Sequence, residues 1–393
     1  MTLEQKHFET KYPHTEIKHK LLSTTLNSTI YVANHFTEEF LSKEFVLIDL
    51  FAGKGMFEDG TKGSPMIALD IINNYFKIAI SKNFNKFTLI FIEKNIENYA
   101  SLIDNISKKI LQEDCPLKIK IIIASNEWES YSKVIQNYLS KTSAAFIFVD
   151  PFSTELNMKK LKPLINPDKY HTILTLINIS GLERILGLNS TKCTKKVCEY
   201  FDVDLKTIER LKKRKNITNA GIIRNLIKIS LKNIEKDFII NLGLPRTSKG
   251  KLENADRFYL CLLTNSVGIS DTFLRTYGQI LGIKEKTKSK TEQKQFSLAS
   301  KILKFINKKK IVSLLQITSE LYDDFYSWKE ASEKEIPTSS NLTKAVNSLI
   351  ENGKIKLKTT EFTCKRNSNK LLAKTFSSKI KQETVIVEKV PLK

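Results

Sequence analysis

Two glycines lie one residue apart in the segment Asp-Leu-Phe-Ala-Gly-Lys-Gly at positions 49–55. The apolar run 45–48 precedes this segment and predicts a strand that is buried on both faces. Open α/β sheets bind ligands at such a turn, because a backbone without Cβ atoms can approach the ligand closely. We therefore expect a nucleotide cofactor here, with an ordinary glycine turn as the alternative. The expected cofactor-binding residues of the turn are Asp49, Phe51, Ala52, Gly53 and Gly55.

The next two predicted strands end in further candidate cofactor contacts. Glu93 directly follows the apolar run 87–92, and an acidic residue at this point accepts hydrogen bonds from ribose hydroxyl groups. Asn126 follows the run 119–123, where we expect it to lie near an adenine ring. In the alternative, Glu93 is a solvated carboxylate at a helix start and Asn126 belongs to a simple loop.

A carboxylate, a proline and an aromatic ring follow the apolar run 145–149, as Asp150, Pro151 and Phe152. This combination suits a planar exocyclic amine, because Asp150 can accept its hydrogens while Phe152 stacks on the ring that bears it. The segment resembles the Asp-Pro-Pro-Tyr motif of amino-methyltransferases that act on adenine or cytosine. One proline is missing, however, and the aromatic residue comes one position early. We predict catalytic roles for all three residues, unless Asp150 merely caps the next helix.

Four basic or imidazole side chains complete the candidate site. His14 and His19 lie five positions apart with Lys18 between them, and a similar segment opens some ribosomal-RNA adenine methyltransferases. Lys54 interrupts the glycine turn and could turn outward toward phosphate. We expect these four residues to contact the substrate. In the alternative, His14 caps a helix and His19 is a satisfied interior residue.

Buried strands alternate with helices through the first half of the chain. This alternation predicts an α/β fold with a doubly wound, mostly parallel, Rossmann-like sheet. Helical spacing over 14–43 precedes the first strand, and Gly63-Ser64-Pro65 indicates a helix start. The later run 258–264 could return as an edge strand, after a basic helical insertion at about 202–240. The five predicted strands of the parallel sheet are 45–48, 87–92, 119–123, 145–149 and 172–177.

The C-terminal third differs in composition. Residues 284–294 contain no apolar side chain and predict a linker. Helical spacing in 298–306 is followed by a second apolar group at 311–315, a third helix is predicted at 339–351, and 354–357 alternates like a strand. Three short helices and a terminal hairpin predict a winged helix-turn-helix, which binds nucleic acid or docks a protein. The predicted domains are 1–283 and 295–393.

The net charge of +22 indicates a polyanionic partner, DNA or RNA. Residues 1–200 contribute only +3, whereas 201–250 contribute +7 and 281–393 contribute +12. The alternative is a lysine-rich solvated surface. Five scattered cysteines without a CxxC pair predict free thiols and no metal site. No apolar run is long enough for a membrane span, so we expect a cytoplasmic protein with no membrane partner.

These motifs in this order resemble the three-Cys-motif partner (TcmP) family over about residues 10–280. The resemblance implies a class I methyltransferase-like fold, S-adenosyl-L-methionine (SAM) as the cofactor, and a three-Cys-motif protein encoded nearby as a partner. Two positions depart from the family pattern, since Lys54 stands where proline is usual and Ser153 where glycine is usual. The segments that carry the resemblance lie at 14–19, 48–55, 63–65, 91–94 and 149–152.

Together, these features predict a TcmP-like, SAM-dependent methyltransferase that acts on an exocyclic base amine of a nucleic acid. The alternative is a non-catalytic adaptor or effector in a phage-defence or mobile-element cassette. Such a protein would sense a nucleotide or bind nucleic acid and work with a three-Cys-motif partner. The incomplete Asp-Pro-Phe motif favours this alternative.

Overall fold

A computed structural model of the chain divides into two compact units, Met1–Thr272 and Phe273–Lys393. In the first unit and the helix that follows it, the described residues are 13–35, 43–78, 83–112, 118–152, 154, 156–166, 169–232, 234, 236–248 and 251–281. In the rest of the chain they are 288–309, 311–322, 325–326, 336–357, 361–363, 370–372 and 386–389.

Seven strands of the first unit form one sheet in the order β3-β2-β1-β4-β5-β7-β6. Strands β1 to β5 all run parallel to one another. The strand β7 runs antiparallel to both of its neighbours, β5 and β6. The strands are β1 (Glu44–Asp49), β2 (Lys86–Glu93), β3 (Ile119–Ser125), β4 (Ala144–Val149), β5 (Tyr170–Asn178), β6 (Phe238–Ser248) and β7 (Lys251–Thr264).

Helices connect these strands. The leading helix α1 (Pro13–His35) precedes β1, and α2 (Ser64–Ile78), α3 (Ile96–Gln112) and α4 (Ser132–Lys141) follow β1, β2 and β3. Between β4 and β5 lies the short α5 (Met158–Leu161), and four helices fill the long connection from β5 to β6. These four are α6 (Ile179–Gly187), α7 (Thr191–Phe201), α8 (Leu205–Lys212) and α9 (Asn219–Lys232).

The predicted parallel sheet is confirmed. Every side chain of β4 is buried, because an apolar run in the middle of a parallel sheet is covered on both faces. The β1 register places Asp49 beside Phe91 of β2 and beside Phe148 of β4. The carboxyl ends of the three strands therefore meet at one edge of the sheet, where the candidate residues follow them.

Two predictions about the end of this unit are corrected. The run 258–264 belongs to β7, which lies between β5 and β6, so it is an interior strand and not an edge strand. The basic helical insertion ends at Lys232, since Phe238 already pairs with Thr264 as the first residue of β6. Phe238 and Ile240 are buried in β6, and this burial favours a strand even though the preceding residues have helical spacing.

The helix α10 (Val267–Ile280) spans the division between the units. The second unit then contains α11 (Lys288–Lys309), α12 (Leu314–Tyr322) and α13 (Ser339–Glu351). Its strands are β8 (Ile311–Ser313), β9 (Phe325–Tyr326), β10 (Ile355–Leu357), β11 (Glu361–Thr363), β12 (Lys370–Leu372) and β13 (Ile386–Lys389). An antiparallel sheet has the order β10-β13-β8, and β11 pairs with β12 as a hairpin.

Part of the predicted linker is helical. Residues 288–294 form the first two turns of α11, whereas 282–287 lie outside the described residues. Lys, Glu and Gln in this segment are good helix formers, so it can extend a helix without contributing an apolar face. Residues 36–42, at the end of the predicted leading helices, also lie outside the described part of the chain.

Candidate functional site

A cleft of about 880 Å³ opens at the carboxyl ends of the parallel strands. Its walls come from α1, from the turns after β1, β2, β3 and β4, and from the start of α6. Asp49 lies outside the lining, and so does Lys54. The predicted residues that line the cleft are His14, Lys18, His19, Phe51, Ala52, Gly53, Gly55, Glu93, Asn126, Asp150, Pro151 and Phe152.

The glycine turn requires its glycines. Gly53 has a φ of 62° and Gly55 a φ of 78°, in the left-handed region that residues with a Cβ rarely adopt. Gly63 donates its amide to the Gly55 carbonyl at 2.8 Å. A Cβ on Gly63 would lie 2.9 Å from the same oxygen. The turn is therefore held tightly against the start of α2.

Glu93 connects the glycine turn to the end of β2. Its Oε2 accepts a hydrogen bond from the Gly53 amide at 2.8 Å, and its Oε1 accepts one from the Asn95 amide at 2.8 Å. The Ala52 amide also donates to the Ile92 carbonyl at 2.9 Å. Each carboxylate oxygen can accept more than one hydrogen bond, so these contacts leave Glu93 able to accept from a ligand in the cleft.

Asp49 is a buried carboxyl group at the end of β1, with 1% of its surface exposed. Burial raises its pKa to about 7, although hydrogen bonds from Ser64 and from the Phe51 amide favour the ionised form. The Phe51 amide donates to Oδ1 at 3.1 Å. Oδ2 has no hydrogen-bond partner in the described part of the chain. Asp49 therefore lies next to the glycine turn but outside the cleft lining, with one oxygen that the described residues leave unsatisfied.

The Lys18 ammonium group forms an ion pair and a hydrogen bond with Asp150 Oδ2. The two side chains are only 11% and 18% exposed, so water screens their attraction weakly. The alternative role of Asp150 as a helix cap is wrong, because Asn157 caps α5, the next helix, through the Lys159 and Lys160 amides.

The rest of the Asp-Pro-Phe segment also faces the cleft. Pro151 is buried, whereas Phe152 is 43% exposed, an unusual degree for a large apolar ring. An exposed ring on a cleft wall is available for stacking on a planar ligand. Ser153, which departs from the family pattern, lies outside the described residues.

Both histidines of α1 are buried against aromatic rings. The His14 ring lies 5.5 Å from that of Phe258, and the His19 ring lies 6.0 Å from that of Phe57. Thr15 and Lys18 line the cleft with them, since His14 lies four positions before Lys18 and Thr15 four positions before His19 on the helix.

Lys54 lies outside the cleft lining, although we expected it to contact the substrate. Its ammonium group is 3.6 Å from Glu58 Oε1, and its carbonyl accepts a hydrogen bond from Asn105 Nδ2 at 2.9 Å. The positive φ of both neighbouring glycines determines the path of the turn here. The predicted site residues of α1 and those that follow β1, β2, β3 and β4 thus line one cleft, except Asp49 and Lys54.

Several lining residues were missed by the sequence analysis. Asn178 ends β5 and caps α6 by accepting from the Gly181 amide at 2.9 Å, a position that the strand pattern could have indicated. Trp128 is buried in the turn after β3. Arg184 and Arg257 also line the cleft, and the Arg257 guanidinium lies 5.0 Å from the centre of the Phe258 ring. No local pattern marks the two arginines, because their position depends on the packing of α6 and β7.

The described residues contain neither a candidate metal site nor a candidate membrane-spanning helix. No group of three or more His, Cys, Asp or Glu side chains is arranged to hold a metal ion in these ranges. Within the same ranges, no helix has the length and apolar character needed to cross a bilayer.

No protein-family model matches the chain, and no curated protein matches it significantly. Two similar solved structures are methyltransferase domains of bacterial CtHen1, described as CtHen1-C and CtHen1-CN. The first has 12% identity and a TM-score of 0.29, over 62% of this chain and 98% of that one. The second has 12% identity and a TM-score of 0.27, over 62% and 99%.

The topology of the sheet assigns the fold of the first unit independently of these comparisons. The strand order β3-β2-β1-β4-β5-β7-β6, with β7 as the one antiparallel strand among the seven, is that of a class I methyltransferase-like fold.

Proposed function

We propose that this chain is a SAM-dependent methyltransferase that acts on an exocyclic amine of a base in a nucleic acid. The proposal rests on one observation: the glycine turn and Glu93 line the same cleft as Asp150 and Phe152. One group of residues suits a nucleoside cofactor and the other suits a planar amine. Their presence in one cavity is what a transfer reaction between the two ligands requires.

The cofactor half of the cleft fits SAM. Gly53 and Gly55 leave room for close approach, and Glu93 can accept from ribose hydroxyl groups while it holds the turn. Asn126 suits an adenine edge, whereas Asp49 lies outside the lining and supports the turn by accepting from the Phe51 amide. SAM, when bound, supplies an electrophilic methyl group on a sulfonium centre.

The substrate half of the cleft would orient the amine. Asp150 would accept a hydrogen bond from the amine and so direct its lone pair toward the cofactor half, while Phe152 stacks on the base. His14, Lys18 and His19 would form the wall opposite the base. The half-buried position of Asp150 excludes much of the water that would compete for the amine.

A second candidate function has a specific observation in its favour. The Lys18 ammonium group already donates a hydrogen bond to Asp150 Oδ2. A carboxylate held in such an ion pair is a weaker acceptor for a substrate amine. This contact favours a non-catalytic adaptor or effector that senses a nucleotide in the cofactor half. In a TcmP-like setting, such a protein would act in a defence or mobile-element cassette together with a three-Cys-motif partner.

We also propose that residues 295–393 form a winged helix that binds nucleic acid or docks a protein. The helices α11, α12 and α13 support this assignment, since a helix-turn-helix module is built on such a group of helices. The antiparallel sheet β10-β13-β8 is the sheet such a module needs. The net charge of residues 295–393 is +9, which suits phosphate contacts.

Two substitutions separate an enzyme from a sensor. Glu93→Ala removes the acceptor on which both functions depend, so SAM affinity should fall at least about tenfold in calorimetry, the loss of a charge-assisted hydrogen bond. Asp150→Ala should leave SAM affinity nearly unchanged and abolish transfer of labelled methyl groups to RNA or DNA. If the wild-type protein binds SAM but transfers no methyl group to any polynucleotide, the enzymatic proposal is wrong.

A further inference from the structure

Basic residues of the first unit are concentrated in one stretch of the chain. Residues 179–232 carry 13 Lys and Arg against 5 Asp and Glu, a net charge of +8. Residues 1–178 carry a net charge of only +1. A general enrichment in lysine would raise the charge of both stretches, so the concentration in 179–232 has to be explained locally.

The concentrated stretch forms a compact helical layer. The helices α6 to α9, Ile179–Lys232, pack against one another through buried apolar side chains such as Leu182, Val197 and Ile223. We call these four helices and their connections the basic layer. Its exposed basic side chains are Arg184, Lys192, Lys195, Lys196, Lys206, Arg210, Lys212, Lys213, Arg214, Lys215 and Lys232.

Acidic side chains do not neutralise this surface. Asp202 forms an ion pair with Lys162, which lies outside the layer, at 2.8 Å. Asp204 caps α8 by accepting from the Thr207 amide at 2.8 Å. Within the described residues, no carboxylate lies within 4 Å of the Lys212, Lys213 or Lys215 ammonium groups. The cluster after α8 is thus an uncompensated positive charge, which attracts polyanions strongly.

The basic layer adjoins the cleft through α6. Asn178, at the end of β5, leads directly into this helix, and Gly181, Arg184 and Ile185 line the cleft. The same helix also packs against α7 and α9. One helix therefore borders the substrate half of the cleft and belongs to the basic layer.

We propose that the basic layer binds the sugar-phosphate backbone of a nucleic acid strand whose target base lies in the cleft. Arg184 receives the phosphates nearest the target base, and the 212–215 cluster receives phosphates farther along the strand. The assignment of the base to the cleft rests on the proposed function. The binding of a polynucleotide to the layer stands on its own and makes the substrate a strand of several nucleotides instead of a free nucleotide.

The test measures binding to the full-length protein by fluorescence anisotropy, without SAM and at several salt concentrations. The probes are a 20-nucleotide single-stranded RNA, the matching DNA strand and the DNA duplex. The variant Lys212→Ala/Lys213→Ala/Lys215→Ala removes three phosphate contacts. The slope of log affinity against log salt should become shallower by about 2 to 3, since each phosphate contact contributes 0.7 to 0.9.

The matched control is Lys118→Ala/Lys133→Ala/Lys141→Ala, which removes the same charge from exposed positions at β3 and on α4. A shallower slope in the cluster variant with an almost unchanged slope in the control supports the proposal. Equal slopes in the wild-type protein and the cluster variant overturn it, and so do equal losses in cluster and control. A wild-type protein that binds none of the three probes also overturns it.

The same preparations are titrated with SAM in a calorimeter. Intact SAM affinity in the cluster variant shows that the cleft is folded and that the loss is confined to nucleic acid binding. Failure of the basic-layer proposal is therefore distinguishable from failure of the proposed methyltransferase function, which is measured by SAM binding and methyl transfer. The three probes also determine whether the layer prefers RNA, single-stranded DNA or duplex DNA.

Discussion

At the scale of single residues, the buried carboxyl group of Asp49 lowers the stability of the folded protein at neutral pH. Its pKa in the folded protein is raised to about 7 by burial, whereas the ordinary value is 3.8. Between these two values the folded state binds more protons than the unfolded state. The contribution of Asp49 to stability therefore falls as pH rises from about 4 to about 7. A buried acid that destabilises the fold at neutral pH is expected at a ligand site and not in a structural core.

The variant Asp49→Asn tests this assignment. Asparagine keeps an acceptor for the Phe51 amide and has no charge to desolvate. We expect the variant to be more stable than the wild-type protein by about 4 kcal/mol at pH 8, with a difference near zero at pH 4. Urea unfolding at pH 4, 6 and 8 measures the difference. A difference that does not change with pH would show that Asp49 keeps its ordinary pKa.

The ion pair of Lys18 with Asp150 can be evaluated by a double-mutant cycle. The single variants Lys18→Met and Asp150→Asn each leave the partner with a mostly buried, unpaired charge. We expect each to destabilise the fold by roughly 1–3 kcal/mol, and the double variant to lose less than the sum of the two. Urea unfolding of all four proteins gives the coupling energy. Strict additivity would mean that the contact does not contribute to stability.

At the scale of elements, the sequence predicted the parallel strands well and β6 not at all. Continuous apolar runs such as 145–149 are buried on both faces, so their composition alone identifies them. In β6, Asn241, Gly243 and Pro245 interrupt the pattern and are typical of turns and loops. The long antiparallel pairing with β7 stabilises this strand, and a contact between two strands is not visible in either one alone.

The candidate site was predictable in part for the same reason. Residues that directly follow a strand, such as Glu93 and Asp150, were identified because parallel strands bring their carboxyl ends together. The Lys18 contact with Asp150 joins residues 132 positions apart. It depends on how α1 packs across the sheet, which periodicity within α1 does not determine. Arg184 and Arg257 were missed because they have no motif and are brought to the cleft by tertiary packing.

The junction between the glycine turn and α2 gives a prediction at this scale. In Gly63→Ala, the new Cβ would lie 2.9 Å from the Gly55 carbonyl oxygen and 3.1 Å from its carbon, both backbone atoms. We expect a loss of roughly 2 kcal/mol in stability and a clear fall in SAM affinity, because the turn must move. The control is Gly268→Ala in α10, where the nearest atoms are at 3.7 Å. Equal stability of the two variants would contradict the proposed rigidity of the turn.

At the scale of the whole molecule, more than half of the net positive charge lies outside the part of the sequence that lines the cleft. Within the described part of the chain, the residues that line the cleft lie between His14 and Phe258. More than half of the net charge, +12 of +22, lies in 281–393. This separation favours a division of labour in which the first unit holds the cofactor and target base, while the second unit adds phosphate contacts and so raises affinity for long nucleic acids.

A fragment of residues 1–283 tests both this division and the predicted domain boundary. Because it contains every residue that lines the cleft, we expect it to bind SAM within about threefold of the full chain in calorimetry, as an autonomous domain should. It should bind a long duplex more weakly, with a shallower salt dependence, since each lost phosphate contact lowers the slope by about 0.9.

A fragment that folds, by circular dichroism, but binds SAM much more weakly would show that the cofactor site needs the second unit. An unchanged salt dependence would instead assign all phosphate contacts to the first unit and leave the proposed winged helix as a surface for docking a protein.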